Sequence, residues 1–313
     1  MSQNYTPLYI ALRYLKGRKS GFLSFISSLA FVSTSLGVAV LIIVSSVMNG
    51  FEKELKERIL NVIPHASIYG VSPIQDWKQV ELNLREDKNI EGISPYIETE
   101  ALIKSKSSVV GARINGVDSK KDKSVSVINE FIELGDLSEI EQGDKIILGY
   151  ILARKLNVGL GDKVSLLLPD SNASFAGYFP KSKTFQIGGI FNVGSKELDE
   201  VLAYVSLKNA ASLTGLKDKI HGFRIKYENL FDAPYLVWQS LIFAEKDLNN
   251  LLNAEDWSYT YGPLFEAIMM EKSLVLLLLF LIIIVAAFNI VSMLMMLINE
   301  KRGQIAILQT MGM

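Results

Sequence analysis

Two long uncharged runs, residues 20–51 and 273–299, stand near opposite ends of this chain and limit its possible folds more than any other feature. An α-helix rises about 1.5 Å per residue, and a bilayer core about 30 Å thick needs about 20 apolar residues. Each run is long enough to span with residues to spare. The sequence between them is mixed and soluble in character, so the chain reads as a membrane protein with one large external domain.

Charge sets the orientation. Residues 1–19 carry Arg13, Lys16, Arg18 and Lys19 and no acidic residue, which places the N-terminus in the cytoplasm by the positive-inside tendency. Glu300, Lys301 and Arg302 open the segment after the second run. Two spans put both ends on the same side, so the middle of the chain lies outside the cytoplasm. A cleaved signal peptide is the competing reading of the first run. Its apolar region would be about 7–15 residues long, whereas this run is longer and leads into a charged amphipathic segment.

A net charge of -1 gives no support to nucleic-acid partners, which normally meet a concentrated basic surface. With 0 cysteines the external domain has no disulfides and relies on its own core. Thiol nucleophiles are excluded, and His65 and His221 alone make no Cys/His zinc site. Both histidines read as structural.

Beyond the first run, Phe51, Leu55, Ile59 and Val62 recur at helical spacing, with Glu52/Lys56 and Glu54/Arg58 as i,i+4 pairs. The helix is expected to continue as a stalk as far as Pro64. The external part then reads as α+β. Strands are predicted at 66–69, 97–103, 109–117, at Ile146 and Ile147, and at 163–168, 184–191, 201–206 and 222–227. Asp76 is a candidate N-cap for a helix carrying Trp77, Val80 and Leu84, a short helix is predicted over 150–156, and Pro234 marks another helix start. The polar stretch 118–123 is a candidate boundary between two subdomains. A last helix is expected to start near Pro263 and run into the second span.

No G-x-x-x-x-G-K-[ST] phosphate loop occurs, so ATP hydrolysis by that route is not expected of this chain. No spacing of Ser, Asp or Glu marks a triad or a carboxylate pair, and neither apolar run, 20–51 or 273–299, holds an ionisable residue that would mark an ion pathway. Two segments stand out instead. Residues 169–180 place Phe175, Tyr178 and Phe179 between Pro169 and Pro180, followed by Lys181 and Lys183. Aromatics on a protruding loop suit partner recognition, and they equally suit a loop folded back onto its own core. In the second segment Glu300, Lys301, Arg302 and Gln304 precede Ile305, Ala306, Ile307 and Leu308, an amphipathic pattern that fits docking on a cytoplasmic partner. Ser33 and Gly37 permit close helix packing, and Asn289 offers an interhelical hydrogen bond.

Four stretches in order, Arg-Tyr-Leu-Lys-Gly-Arg at 13–18, Ser-Val-Met-Asn-Gly-Phe-Glu at 46–52, Ala-Ala-Phe-Asn-Ile at 286–290 and Glu-Lys-Arg-Gly-Gln-Ile-Ala-Ile-Leu-Gln-Thr at 300–310, resemble the LolC/LolE lipoprotein-releasing permeases. These belong to the wider class of macrolide-exporter-type ABC permeases. The resemblance implies two transmembrane α-helices, extended as stalks, flanking a large α+β periplasmic domain of two subdomains. In residues, that is a cytoplasmic N-terminus at 1–21, spans at 22–48 and 269–298, a periplasmic domain at 49–268 and a cytoplasmic coupling segment at 299–313. It further implies the bacterial inner membrane, a second permease subunit in a homo- or heterodimer, cytoplasmic ATPase subunits that hold the ATP and magnesium, a periplasmic lipoprotein chaperone and a lipoprotein substrate.

By position, the loop 169–180 with Lys181 and Lys183 resembles the hook that holds the chaperone. Glu300, Lys301, Arg302, Ile305 and Leu308 resemble the coupling helix, and Val40, Val44, Val47, Met48 and Phe51 fall where the family's lipoprotein cavity lies. The same apolar residues would serve an ordinary surface facing membrane lipids. Family members have four spans, so two further spans are expected in the complete protein. The rival expectations are a mechanotransmitting permease of the same build with another substrate, and a two-span receptor with a periplasmic sensory domain.

Overall fold

The computed structural model describes residues 21–55, 62–168, 181–246 and 251–310. These fall into two compact units, Met1–Glu52 with Glu266–Met313, and Lys53–Phe265. Helix α1 (Gly21–Leu55) holds the first apolar run. It contains no proline, and the Thr34 hydroxyl bonds back to the helix backbone, donating to the Ala30 carbonyl at 2.9 Å.

The second unit opens with β1 (Ala66–Ile74), α2 (Trp77–Leu84) and the long strand β2 (Ile90–Lys104). After β3 (Val109–Val117) come a short helix α3 (Ser119–Asp122), a 3-10 turn at Ile128–Phe131 and β4 (Ile132–Gly135). Strand β5 (Lys145–Gly149), helix α4 (Tyr150–Leu156), β6 (Lys163–Leu168) and β7 (Lys181–Phe191) follow. Next are α5 (Lys196–Val201), β8 (Leu202–Ser206), α6 (Leu207–Thr214) and β9 (Ile220–Tyr227). The unit closes with α7 (Ala233–Ala244), β10 (Leu252–Asp256) and the start of α8 (Trp257–Thr310).

Local chemistry accounts for most of these ends. The Ser206 hydroxyl accepts the Asn209 N–H and starts α6, and Gly215 at φ 78° stops it in the left-handed region that a side chain would disfavour. Asp118 accepts the N–H groups of Lys120 and Lys121 and starts α3. Asp76 sits at the N-cap of α2, but only its carbonyl is used, accepting from Gln79 and Val80.

The strands form one ten-stranded sheet in the order β10-β1-β9-β2-β3-β8-β5-β7-β4, with β6 joined to both β2 and β7. The pairs β3–β8 and β5–β7 are parallel and the rest antiparallel. Because β6 bonds to β2 at one edge and to β7 at the other, strands β2, β3, β8, β5, β7 and β6 close on themselves. Strands β9, β1 and β10 extend the sheet from the first half of β2.

Side chains alternate across a strand, so register decides which of them share a face. Ile97 of β2 lies opposite Gly116 of β3, Ala101 opposite Ala112, and Ile93 opposite Ile225 of β9. These belong to the main core, with Phe223, Ile68, Val205 and the inner residues of α2, α6 and α7. Gly116 is required there. A Cβ at that position would sit 2.1 Å from Ala210 Cβ of α6. On the opposite face a smaller core gathers Val117, Ile147, Phe191, Leu202 and Tyr204, with the Phe191 and Tyr204 rings edge to face at 5.7 Å.

Three features differ from the sequence expectation. The stretch 118–123 does not divide the unit. Asp122 is fully buried, Lys121 bonds both oxygens of Glu81 at 2.7 and 2.6 Å, and the Ser119 N–H bonds Glu141. Its polarity comes from tertiary partners, and composition cannot tell such a nexus from a linker. The last helix begins at Trp257, ahead of Pro263, because the Asp256 carboxylate accepts the Ser258 N–H and the Trp257 indole donates to the Leu230 carbonyl. Strand β10 has no counterpart in the sequence pattern, since Leu-Asn-Ala-Glu-Asp is a weak strand former held by pairing with β1.

Helices α1 and α8 both carry stretches long and apolar enough to cross a bilayer, Ser28–Lys53 and Trp257–Met296. Gly37 brings the backbone of α1 close to Ile282, and Glu52 pairs with Lys272. Helix α8 continues through Gly303 to Thr310, so residues 299–310 extend it without a break. The expected stalk beyond Leu55 lies outside the described residues.

Two outcomes follow from the packing. Gly116→Val should destabilise by about 1–3 kcal/mol through overpacking, and Ala210→Gly in the same chain should recover part of the loss, read as melting temperature. His65 is buried, and burial followed by the Lys226 charge lowers its pKa to about 4. The unfolded chain takes up a proton near pH 6.5 that the folded chain refuses, so stability is full above that pH and falls as pH drops toward 4, by at most about 3 kcal/mol. Between pH 7.5 and 5, His65→Gln should therefore show a smaller change in melting temperature than the unmodified protein.

Candidate functional site

The alternation that buries one face of the central strands leaves part of the other polar. Ser67 of β1, Arg224 of β9 and Ser94 of β2 form one cross-strand row on that face. Tyr69, Gly222 and Tyr96 form the next, and Glu98, Asn115 and Tyr204 another across β2, β3 and β8. A cavity of about 770 Å³ opens over these rows. Gly222 lies between the two tyrosines because a Cβ there would meet the Ile68 carbonyl oxygen at 2.4 Å. The face is therefore left clear between the two rings.

Arg224 is almost fully buried beside the cavity, its guanidinium 5.2 Å from the Tyr96 ring centroid. Its Nη1 stands 3.6 Å from Oδ1 of Asp122, an ion pair too long to be a hydrogen bond. Burial works against the arginine charge, but Asp122 together with Tyr204, Glu98 and Tyr96 holds its pKa up and the group stays cationic. Burial pushes the Asp122 carboxyl upward, with Arg224 opposing. Both carboxylate oxygens of Asp122, the Ser94 and Ser119 hydroxyls and Asn115 Oδ1 have no hydrogen-bond partner among the described residues.

Burial also holds the phenols of Tyr96 and Tyr204 well above their usual range, so both remain neutral donors. His221 Nδ1 accepts the Glu98 N–H at 3.1 Å, and burial lowers its pKa, leaving it neutral at pH 7. Glu255 is pushed upward by burial and then by the nearby Glu98 and Asp256. The arrangement can hold a polar ligand. Among the described residues no cluster of three or more His, Cys, Asp or Glu side chains could hold a metal ion.

A second hollow of about 480 Å³ is apolar, lined by Leu102, Leu167, Leu168 and Val201. It lies beside the chain that leads into residues 169–180. Those residues, with Pro169, Phe175, Tyr178, Phe179 and Pro180, lie outside the described residues. Lys181 is exposed at the start of β7. Lys183 is held within the domain, its ammonium 2.7 Å from Asp144 and 2.8 Å from the Asn209 side-chain oxygen.

Val40, Val44, Val47 and Phe51 are exposed on α1 and Met48 is half-buried, with spacings that put all five on one face. Glu300, Lys301, Arg302, Ile305 and Leu308 fall in the last turns of α8, where Arg302 is exposed. Sequence reasoning missed the cavity, whose lining joins six strands to residues 62–64, Leu198 of α5 and the start of α8. A local signal was present in the alternation Ser94, Tyr96, Glu98, Glu100 along β2.

The family model for the MacB-like periplasmic core domain matches residues 27–232. The lipoprotein-releasing system transmembrane protein LolC of Neisseria meningitidis serogroup B is 35% identical over 308 residues, covering 97% of this chain and 74% of that protein. LolE of Haemophilus influenzae is 32% identical, covering 98% of this chain and 74% of that protein. Among solved structures, the extracellular domain of the noncanonic ABC-type transporter YknZ overlays with a TM-score of 0.42 at 9% identity, covering 61% of this chain and 98% of that one.

The buried pair is open to direct test. Arg224→Met leaves Asp122 buried without its counter-charge and should cost about 3–5 kcal/mol. Adding Asp122→Asn should recover part of that loss. If the double variant melts lower than Arg224→Met alone, the two groups are not coupled.

Proposed function

Since this chain belongs to the LolC/LolE family of lipoprotein-releasing transmembrane proteins, we propose that it works as the permease subunit of an ATP-driven complex that extracts lipoproteins from the inner membrane and passes them to a periplasmic chaperone. The observation that carries this reading is the extent of the similarity. At 35% identity it runs over 97% of the chain, through both apolar helices and the whole domain between them.

The physical problem in such a release is the lipid anchor. Each methylene moved from hydrocarbon to water costs about 0.8 kcal/mol, so transfer needs an external energy source and apolar surface along the route. On this reading Val40, Val44, Val47, Met48 and Phe51 offer that surface, as one face of α1. ATP and magnesium act in separate cytoplasmic subunits, and this chain contributes no hydrolytic residue. Glu300, Lys301, Arg302, Ile305 and Leu308 dock on those subunits. The unbroken backbone of α8 between Trp257 and Thr310 supports a transmitting role, since a continuous helix passes displacement along its length. Residues 169–180, with Phe175, Tyr178 and Phe179, hold the chaperone, assisted by Lys181. A second permease subunit completes the membrane unit.

A photoreactive residue placed at Met48 in the assembled complex should crosslink a lipoprotein and release it when ATP is added. Crosslinks to phospholipid alone would refute the cavity assignment. Phe175→Ala, Tyr178→Ala and Phe179→Ala together should reduce chaperone capture at least about tenfold, the loss of roughly 1.4 kcal/mol or more that aromatic anchors commonly supply. Capture at the unmodified level would remove the loop from the reading.

A further inference from the structure

Helix α8 carries a weak point close to its origin. Pro263 lies inside the helix, well past its first turn, with Gly262 immediately before it. Proline has no N–H, so the Tyr259 carbonyl one turn back loses its helical donor, and the proline ring crowds that carbonyl. Gly262 adds backbone freedom at the same place. Packing does not demand that glycine, because a Cβ there would meet only the Ser258 Cβ at 3.6 Å, an ordinary contact. Bends in helices concentrate at such positions. The division between the two compact units falls just beyond, between Phe265 and Glu266.

The side chains before and after this point are held by the domain on one surface. Trp257, Tyr261 and Phe265 recur at helical spacing, and all three pack against the main core. The Trp257 and Phe265 rings meet edge to face with centroids 4.9 Å apart, so the contact spans Gly262 and Pro263.

Trp257 is itself fixed from several directions. Its backbone N–H donates to the His65 carbonyl at 3.1 Å, its indole N–H donates to the Leu230 carbonyl at 2.8 Å, and its ring meets that of Phe231 at 5.8 Å. Strand β10 ends at Asp256 and α8 begins at Trp257, so no loop separates helix from sheet. A displacement of α8 therefore enters the sheet at Trp257, provided that the helix does not flex at Pro263.

We propose that the Trp257–Phe265 ring pair is a brace across the Gly262–Pro263 weak point, and that these two positioning residues make α8 rigid enough to pass its displacement to β10 and β1 during lipoprotein release. The coupling role rests on the permease reading above. The brace itself rests on the ring contact, the missing helical donor and the glycine that packing does not require.

The test uses the assembled complex with its ATPase subunits in lipid vesicles, and reads lipoprotein delivered to the chaperone per ATP hydrolysed. Phe265→Ala should lower that ratio about fivefold, the scale of one lost aromatic pair. Adding Pro263→Ala, which returns an N–H to the Tyr259 carbonyl, should recover most of the loss. Phe265→Tyr keeps the ring and should stay near the unmodified ratio. The chain has no cysteine, so nitroxide labels at Tyr259→Cys and Leu274→Cys, both exposed on α8, report its bending directly. Their distance distribution should broaden in Phe265→Ala and narrow again when Pro263→Ala is added, a change that a purely structural role for Phe265 does not produce. Melting curves establish that each variant is folded. The proposal is overturned if folded Phe265→Ala keeps the unmodified ratio, if its label distances stay narrow, or if Pro263→Ala leaves either change in place. A complex that releases no lipoprotein even when unmodified refutes the permease reading instead, and the label distances then decide the brace by themselves.

Discussion

Strand β2 is the element on which the domain depends. Its first half bonds to β9, its last residues to β6, and most of its length to β3. One strand of 15 residues therefore belongs both to the closed six-stranded circuit and to the open extension through β9, β1 and β10. Register along it is strongly specified, since a slip of one residue would carry Ile93, Ile97 and Ala101 out of the main core and bring Tyr96 and Glu98 in. The two parts expected from the sequence are thus halves of a shared strand, and no linker separates them.

The same strand sets the electrostatics. On its polar face Ser94, Tyr96 and Glu98 meet Arg224 and Asn115 from the neighbouring strands. Arg224 and Asp122 together are tolerable in the interior, whereas either alone would be strongly unfavourable. Several polar atoms around them have no hydrogen-bond partner among the described residues. An interior arranged this way sacrifices some stability relative to an apolar core. In exchange it keeps a cavity with directed donors and acceptors, the usual setting for recognition.

The membrane helices follow a simpler rule. Apolar residues appear on every side of α1 and α8, as a span facing lipid and a partner helix requires. A uniformly apolar surface records that a bilayer is near. It does not record which face meets lipid, a second subunit or a cargo. For Val40, Val44, Val47, Met48 and Phe51 the helical spacing fixes a common face, and the use of that face is a property of the assembly.

Short-range signals made much of the domain legible. The strand β6 and the helix α4 are bounded by their own residues, Asn157 at φ 52° and Gly161 at φ 86° forming the turn between them. The apolar runs set two spans by length alone, and the lack of cysteine rules out disulfides. Strand β10, the burial of Asp122 and the early start of α8 at Trp257 were decided only in the folded chain. Each depends on partners far away in sequence, namely β1, Arg224 and the Leu230 carbonyl. The cavity is the extreme case, for its rows take one residue from each of several strands, and cross-strand register is a relation between segments that no single segment carries.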